Sequence, residues 1–333
     1  MSRKIAVVTE GAGFIGSHMV DRLLQEGHEV RVIDDLSSGR ALNLAQHERE
    51  PRLHCEWRDI LGLDAQDALF QDAHWVFHFA GKGDIVPSIE QPLPYLKTNT
   101  LGTALVCQAA RAAGVKKLVY AASSSCYGKD APVPTSETQA IVTEYPYALS
   151  KYLGEQTALH WDRVYHLPVN SLRIFNAYGT RSRTSGAYGA VFGVFLKQKL
   201  AGQPFTVVGD GTQRRDFVYV TDVVDAFWRA TQTNVSGECF NLGQGDPQSI
   251  RTLVTLLGGK VQSIPKRPGE PECTWADIRK IQGQLGWQPR VSFQEGVAKM
   301  LAEIDYWQDA PLWDAKSIAQ ATKTWFQCLE KED

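Results

Sequence analysis

Apolar residues in the first half of the chain fall into short continuous runs, separated by longer stretches in which they recur every three or four positions. The runs Ile5–Thr9, Glu29–Asp34, Leu53–Trp57, Trp75–Phe79, Leu118–Ala122 and Val169–Phe175 have strand length and are bounded by polar or glycine-containing segments, which predicts β-strands. Residues 14–27, 63–71, 93–113 and 146–165, between those runs, read as helices. Strands alternating with helices predict right-handed βαβ units and a doubly wound parallel sheet covered on both faces. Ligands then gather at the carboxyl ends of the strands. The residues just past those ends are Asp34, Asp59, Ala80-Gly81-Lys82, Ser123-Ser124-Ser125 and Asn176.

After Asn176 the alternation breaks down. Gly179 to Gly189 reads as a loop, and 190–201 as a helix. A strand over Phe217–Val220 precedes a helix capped near Thr221-Asp222, and Cys239–Leu242 is another strand. A proline-rich loop runs from Pro265 to Pro271, and helices are expected over 274–285, 293–307 and 314–329, with Trp307, Trp313 and Trp325 as their anchors. The chain therefore divides into a domain of residues 1–176 and a smaller mixed α/β domain of residues 177–333. The second is interleaved with the first at its edges and closes over the carboxyl edge of the sheet.

The first strand leads directly into Gly11-x-Gly13-x-x-Gly16, and an apolar-periodic segment with Phe14 and Ile15 follows. Strand, tight glycine turn and helix N-terminus form the Rossmann-type arrangement that presents backbone N–H groups to a phosphate. The second strand ends in Asp34, eighteen positions after Gly16. A carboxylate there accepts both ribose hydroxyls of an adenosine and repels a 2′-phosphate, which predicts NAD rather than NADP. A second signal is Tyr147-Ala148-Leu149-Ser150-Lys151. Tyrosine and lysine at i and i+4 share a helix face. A lysine ammonium beside the phenol is expected to lower the tyrosine pKa, so that Tyr147 takes a proton from a substrate hydroxyl.

Composition narrows the function. The 333 residues carry a net charge of −2, so no basic footprint for nucleic acid is present. No apolar run is long enough to cross a bilayer. The first strand starts near residue 4, which leaves no room for a signal peptide and predicts a cytoplasmic protein. The six cysteines are scattered with no CxxC pair, so reduced thiols are expected, with no disulfide framework and no metal site. The eight histidines show no ligand spacing, and His78, in an apolar strand, reads as a core residue. The stretch 93–113 is apolar around much of its circumference (Leu96, Leu101, Leu105, Ala109, Ala112). Such a helix is covered on more than one side, by the core or by a second copy of the chain in a homodimer.

TEGAGFIGSH from Thr9, Asp34, Ser123-Ser124-Ser125-Cys126-Tyr127-Gly128, Tyr147-x-x-x-Lys151, Leu172-Arg173-Ile174-Phe175-Asn176, Arg215-Asp216-Phe217 and Arg267-Pro268-Gly269-Glu270 appear in that order. Together they resemble the extended short-chain dehydrogenase/reductase family, the nucleotide-sugar epimerases and dehydratases, from residue 4 to about 308. The resemblance implies Tyr147 as catalytic base, Lys151 as its electrostatic partner and a ribose ligand, and Ser123 as a hydrogen-bond partner of the reacting C4 oxygen. It places Asp59 and Ile60 at the adenine, Phe79, Ala80, Gly81 and Lys82 beside NAD with Phe175, and Asn99 in support of the cofactor. Asn176, Arg181, Arg215, Arg267 and Glu270 are implied around the substrate diphosphate. Thr274 matches a position that restricts the sugar's C2 substituent; as a small residue there it leaves room for an N-acetyl group. The resemblance also suggests a place in polysaccharide supply.

Within such a family, dehydratases carry Asp-Glu directly after the serine, one acid and one base for removing water. Here those positions are Ser124 and Ser125, so C4 epimerisation of a UDP-hexose through a 4-keto sugar, with NAD regenerated each cycle, is the expected reaction. A 4,6-dehydratase with its acid and base elsewhere, a 4-keto reductase, and a non-catalytic NAD-binding regulator are the alternatives. One departure stands out. The family's first glycine is Glu10 here. If that position needs a positive φ, a side chain there is strained, and a carboxylate near the pyrophosphate repels it.

Overall fold

The computed structural model describes residues 3–182, 190–266, 268 and 270–329. β1 (Ile5–Thr9), α1 (Phe14–Gln25), β2 (Glu29–Asp34), β3 (Leu53–Trp57) and β4 (Trp75–His78) open the chain. Two short helices, α2 (Ile85–Glu90) and α3 (Pro92–Leu96), lead through a π turn at Lys97–Gly102 into α4 (Thr103–Ala112). β5 (Lys117–Ser123), α5 (Pro146–Tyr165) and β6 (Val169–Ile174) follow. Beyond them lie β7 (Asn176–Tyr178), α6 (Val191–Leu200), β8 (Phe205–Val208), β9 (Arg214–Arg215), β10 (Phe217–Tyr219), α7 (Val220–Thr231) and β11 (Glu238–Leu242). The last elements are β12 (Gln248–Ser249), α8 (Ile250–Leu257), β13 (Val261–Ile264), α9 (Arg279–Leu285), α10 (Phe293–Ala302), α11 (Ala315–Ala321) and α12 (Lys323–Leu329).

Seven strands pair in the order β11-β6-β5-β4-β1-β2-β3, all parallel. One face packs on α1 and α7 through Met19, Leu23, Val223 and Phe227. The other packs on α4 and α5 through Val106, Ala110 and Ala158. Burial on both faces is why these strands read as unbroken apolar runs. Strand order reverses between β1 and β4, which opens a crevice at their carboxyl ends. A separate core under α6, α8 and α10 (Phe192, Phe195, Leu253, Val297) supports the opposite wall.

Four sequence expectations change. The strand expected at 239–242 is β11, which pairs with β6 in the large sheet, and α7 covers that sheet beside α1; residues after 176 therefore complete it. No helix forms over 63–71. Asp59 and Asp67 instead cap single 3-10 turns by accepting from the N–H of Leu61 and Leu69, local bonds that compete with a helix. The expected helix 93–113 is interrupted by the π turn, which holds the buried Asn99; π bulges of this kind re-aim single side chains. Leu93 and Leu101 are 65% and 52% exposed, so one copy of the chain does not cover all sides of this stretch. At the far end, the expected helices shorten to α9 and α10, and 314–329 splits at Thr322, whose hydroxyl bonds back to the Ile318 carbonyl at 2.8 Å.

Candidate functional site

A cavity of about 950 Å³ lies along the carboxyl ends of the large sheet. One end is walled by Asp34, Asp59 and Ile60. Glu10, Phe14, Ala80, Gly81 and Lys82 line its middle at the crevice. Ser123, Tyr147, Phe175 and Asn176 follow, and Thr206, Val208, Arg215, Glu270 and Thr274 close the other end. No cluster of His, Cys, Asp or Glu suited to a metal ion occurs among the described residues.

Three hydroxyls converge at the end of β5. The Tyr147 hydroxyl donates to Ser123 Oγ at 3.2 Å, and Ser123 Oγ lies 2.8 Å from Ser125 Oγ. Ser123 sits here because β5 ends at this residue; its hydroxyl caps the following turn by accepting from Ser125 N–H. Tyr147 enters at the start of α5, with its backbone N–H held by Ser88 Oγ at 3.1 Å.

Lys151, one turn further along α5, is buried. Its Nζ lies 4.7 Å from the centre of the Tyr120 ring and against Gly81, 3.3 Å from the position of a Cβ on that glycine. Burial pushes its pKa down to about 8, against the upward pull of the Glu10 and Glu155 carboxylates. The Tyr147 pKa is raised, not lowered. Burial dominates, and the hydrogen bond with Ser123 only partly offsets it.

The residues at the other end fit a dinucleotide on three counts. Asp34 is buried, with its carboxylate fixed by the N–H groups of Ala12 (2.9 Å) and Leu36 (2.8 Å), and still has lone pairs for ribose hydroxyls. The N-cap of α1, Gly13, has no side chain to satisfy the first-turn N–H groups, which suits an anion. The glycines allow close approach: a Cβ at Gly16 would lie 1.9 Å from the Glu10 carbonyl, and one at Gly11 2.6 Å from Val32. Asn99 holds the loop after β4, accepting from Lys82 N–H at 2.7 Å and donating to Lys82 O and Ser150 Oγ.

On a fourth count the fit is imperfect. Gly11, Gly13, Ile15, Gly16, Phe79, Asn99 and Lys151 stand behind the cavity wall rather than in it. Phe79 packs on Phe227 in the core. In front of the glycines lies Glu10, in the left-handed region with φ 55°. Its Oε2 accepts from Gly81 N–H at 3.2 Å.

Toward the opposite end, Thr274 donates to Asn176 Oδ1 at 2.8 Å and accepts from Asp216 N–H. Arg215 holds Glu270 at 3.0 Å and the Pro271 carbonyl at 2.8 Å. Arg181 lines the cavity, yet its guanidinium is engaged by Asp21 at 2.7 Å and the Asn43 carbonyl, a brace rather than an open phosphate ligand. Arg267 lies outside the described residues. Sequence reasoning missed Asp84, Glu144, Tyr145, Phe192, Thr206 and Val208 on the wall. In the sequence Phe192 and Val208 read as core residues, and Asp84 and Glu144 as solvated loop carboxylates. Of the tryptophans, Trp307 is core, but Trp313 and Trp325 line the cavity; Trp325 lies tilted at 43° against Tyr145 and donates to the Pro268 carbonyl at 2.6 Å.

Comparison with known proteins agrees with this arrangement. A UDP-glucose 4-epimerase of Mycolicibacterium smegmatis is 38% identical over 301 residues, 88% of this chain and 96% of its own. The crystal structure of a UDP-glucuronic acid 4-epimerase from Bacillus cereus, in complex with UDP-glucuronic acid and NAD, superposes with a TM-score of 0.83 at 31% identity. It covers 92% of this chain and 99% of that one. A dTDP-glucose 4,6-dehydratase from Streptomyces venezuelae, with NAD bound, gives the same TM-score at 29% identity, covering 92% and 99%. The sequence model of the NAD dependent epimerase/dehydratase family matches residues 6–243, and the chain belongs to that family.

Proposed function

We propose that the chain is a nucleotide-sugar 4-epimerase that inverts C4 of a UDP-hexose, with NAD as its cofactor. The observation that carries this reading is the strand end at β5. Ser123, Ser125 and Tyr147 supply three hydroxyls there, and serines stand at both positions after Ser123, which suits oxidation and re-reduction at one carbon rather than water removal. NAD supplies the hydride acceptor and donor. Tyr147 takes the C4 hydroxyl proton and later returns it, and Ser123 holds the same oxygen in line. Lys151, one turn along α5, supplies the positive charge that a buried phenolate needs. Asn176, whose Oδ1 is engaged by Thr274, offers its amide N–H to the diphosphate, with Arg215 and Arg267 as cations. Thr274 leaves space beside C2. Asp34 selects NAD over NADP.

We further assign the protein to the cytoplasm, since six free thiols suit a reducing compartment. None of the described helices is long and apolar enough to cross a membrane. A homodimer through the exposed Leu93 and Leu101 face would cover what one copy leaves open; light scattering of a Leu101→Asp variant tests it.

The decisive assay offers UDP-glucose, UDP-N-acetylglucosamine and UDP-glucuronate, with and without added NAD, and resolves products by mass and by sugar proton couplings. An isomer of equal mass with inverted C4 is the expected outcome. A product lighter by one water would overturn the reading and move the chemistry to the cavity carboxylates Asp84 and Glu144.

A further inference from the structure

We infer that Glu10 is a plug across the dinucleotide crevice, so that this protein exchanges NAD with solution and releases it as the Glu10 carboxyl ionises. The inference rests on the NAD reading above and adds a residue that sets how tightly the cofactor is held.

Three features of the site converge on it. First, Glu10 directly follows β1 at the start of the glycine turn, and its Oε2 reaches Gly81 N–H, past the end of β4. It therefore spans β1 and β4, where the strand order reverses. That is the crevice in which doubly wound folds take their ligand. Second, Oε1 lies over the helix N-cap: a Cβ on Gly13 would sit 2.6 Å from it. The side chain places its own carboxyl where this fold otherwise receives an anion at a helix N-terminus. Third, Glu10 lines the cavity while Gly11, Gly13, Gly16 and Lys151 do not. A ligand in the cavity meets Glu10 before it meets the turn or the lysine. The backbone adds to the effect, since φ 55° at this position is open to glycine and strained for glutamate.

The charges give the plug its sign. Glu10 faces Asp34 and Asp35 on one side and Lys151 on the other, and Lys151 also feels Glu155. Burial, then the neighbouring Asp34, pushes the Glu10 carboxyl up to about 8, against the Gly81 hydrogen bond and the Lys151 ammonium. Burial brings Lys151 down to about 8. Below that pH the pair is a neutral acid beside an ammonium, which tolerates a diphosphate. Above it the pair becomes a carboxylate beside an amine, which repels one. Affinity for NAD therefore falls as pH rises through 8.

The test is calorimetric titration of NAD into the purified full chain from pH 6 to 9, for wild type, Glu10→Gln and Glu10→Gly. Glutamine keeps the shape and cannot ionise. The Kd ratio of wild type to Glu10→Gln cancels the titrations of Lys151, Asp34, Asp35 and Glu155 to first order. The expected ratio is near one at pH 6 and about tenfold at pH 9, one unit above a pKa of about 8. Glu10→Gly, with plug and strain both removed, is expected to bind more tightly than wild type at every pH. A ratio that stays constant from pH 6 to 9, or a glycine variant no tighter than wild type, overturns the inference while leaving the NAD reading intact. No binding by any of the three overturns both.

Discussion

Replacing Arg173 with methionine probes the network that anchors the helix carrying Tyr147 and Lys151. Arg173 on β6 reaches Glu155 on α5, with Nη2 at 2.6 Å and Nε at 2.9 Å from the two carboxylate oxygens. Both side chains are almost wholly buried. Its Nη1 donates to the Tyr127 hydroxyl at 2.7 Å, and that hydroxyl donates on to Asn241. Without the guanidinium, the Glu155 carboxylate keeps the Ser171 hydroxyl at 3.1 Å and the Cys239 thiol at 3.5 Å, with no cationic group bonded to it. Breaking a buried pair from one side costs about 3–5 kcal/mol. An unfolding entropy of about 2.1 cal/mol/K per residue gives roughly 0.7 kcal/mol/K for this chain, so the melting temperature should drop by about 4–7 °C. Scanning calorimetry at one fixed scan rate, on wild type, Arg173→Met, Glu155→Met and the double variant, measures it. The double variant removes the orphaned charge and is expected to recover about 2–4 °C of the loss. A single variant melting within about 1 °C of wild type, or a double variant no better than Arg173→Met, refutes the claim that the uncompensated carboxylate is what destabilises.

Tyr147→Phe should lower kcat by roughly 10²–10⁴-fold with an unchanged circular dichroism spectrum; activity that survives intact would mean that the base lies elsewhere or that turnover is not the protein's task. His78, buried between Thr9 and Thr103 hydroxyls, is held neutral by burial, its pKa pushed down to about 3. A depressed folded pKa means stability that is full above the unfolded value near 6.5 and lost as pH falls toward 3, so by pH 5 about 2 kcal/mol is gone. His78→Gln should shrink the melting-temperature difference between pH 7 and pH 5 by about 3 °C, and an unaltered difference would exclude His78 as its source. Trp325→Ala, which opens the wall between Tyr145 and Pro268, should raise KM for the nucleotide sugar severalfold with little change in kcat; the reverse pattern would place Trp325 in the chemistry.

Much of the frame is legible in the sequence for one physical reason. Strands covered on both faces carry no polar alternation, so Ile5–Thr9 reads as an unbroken run and coincides with β1, whereas the edge strand β3 (Leu53–Trp57) alternates, with His54 and Glu56 exposed. Segments whose local bonds compete with the helix are not legible. Asp59 and Asp67 turn an apolar stretch into capped 3-10 turns, and the π turn around Asn99 follows from contacts with Lys82 and Ser150 far away in sequence. The pairing of β11 with β6 is likewise decided by tertiary packing, since a five-residue run cannot declare which sheet it joins.

The site divides in the same way. Positions carried on rigid elements, such as Ser123 at the end of β5 and Tyr147 at the start of α5, can be placed from register alone. Where a flexible side chain ends up depends on the charges around it, and those come from the whole fold. Lys151 Nζ settles over the Tyr120 ring, in the field of Glu10 and Glu155, and Arg181 turns to Asp21. A single departure from a glycine at residue 10 thus reaches Lys151 on α5, and through it the phenol that the lysine should activate. Removing the Glu10 carboxyl takes away one of the two groups whose ionisation holds the Lys151 pKa up. The Glu10→Gly variant should therefore act on the chemistry of Tyr147 as well as on NAD affinity, which couples cofactor binding and proton transfer through one carboxyl group.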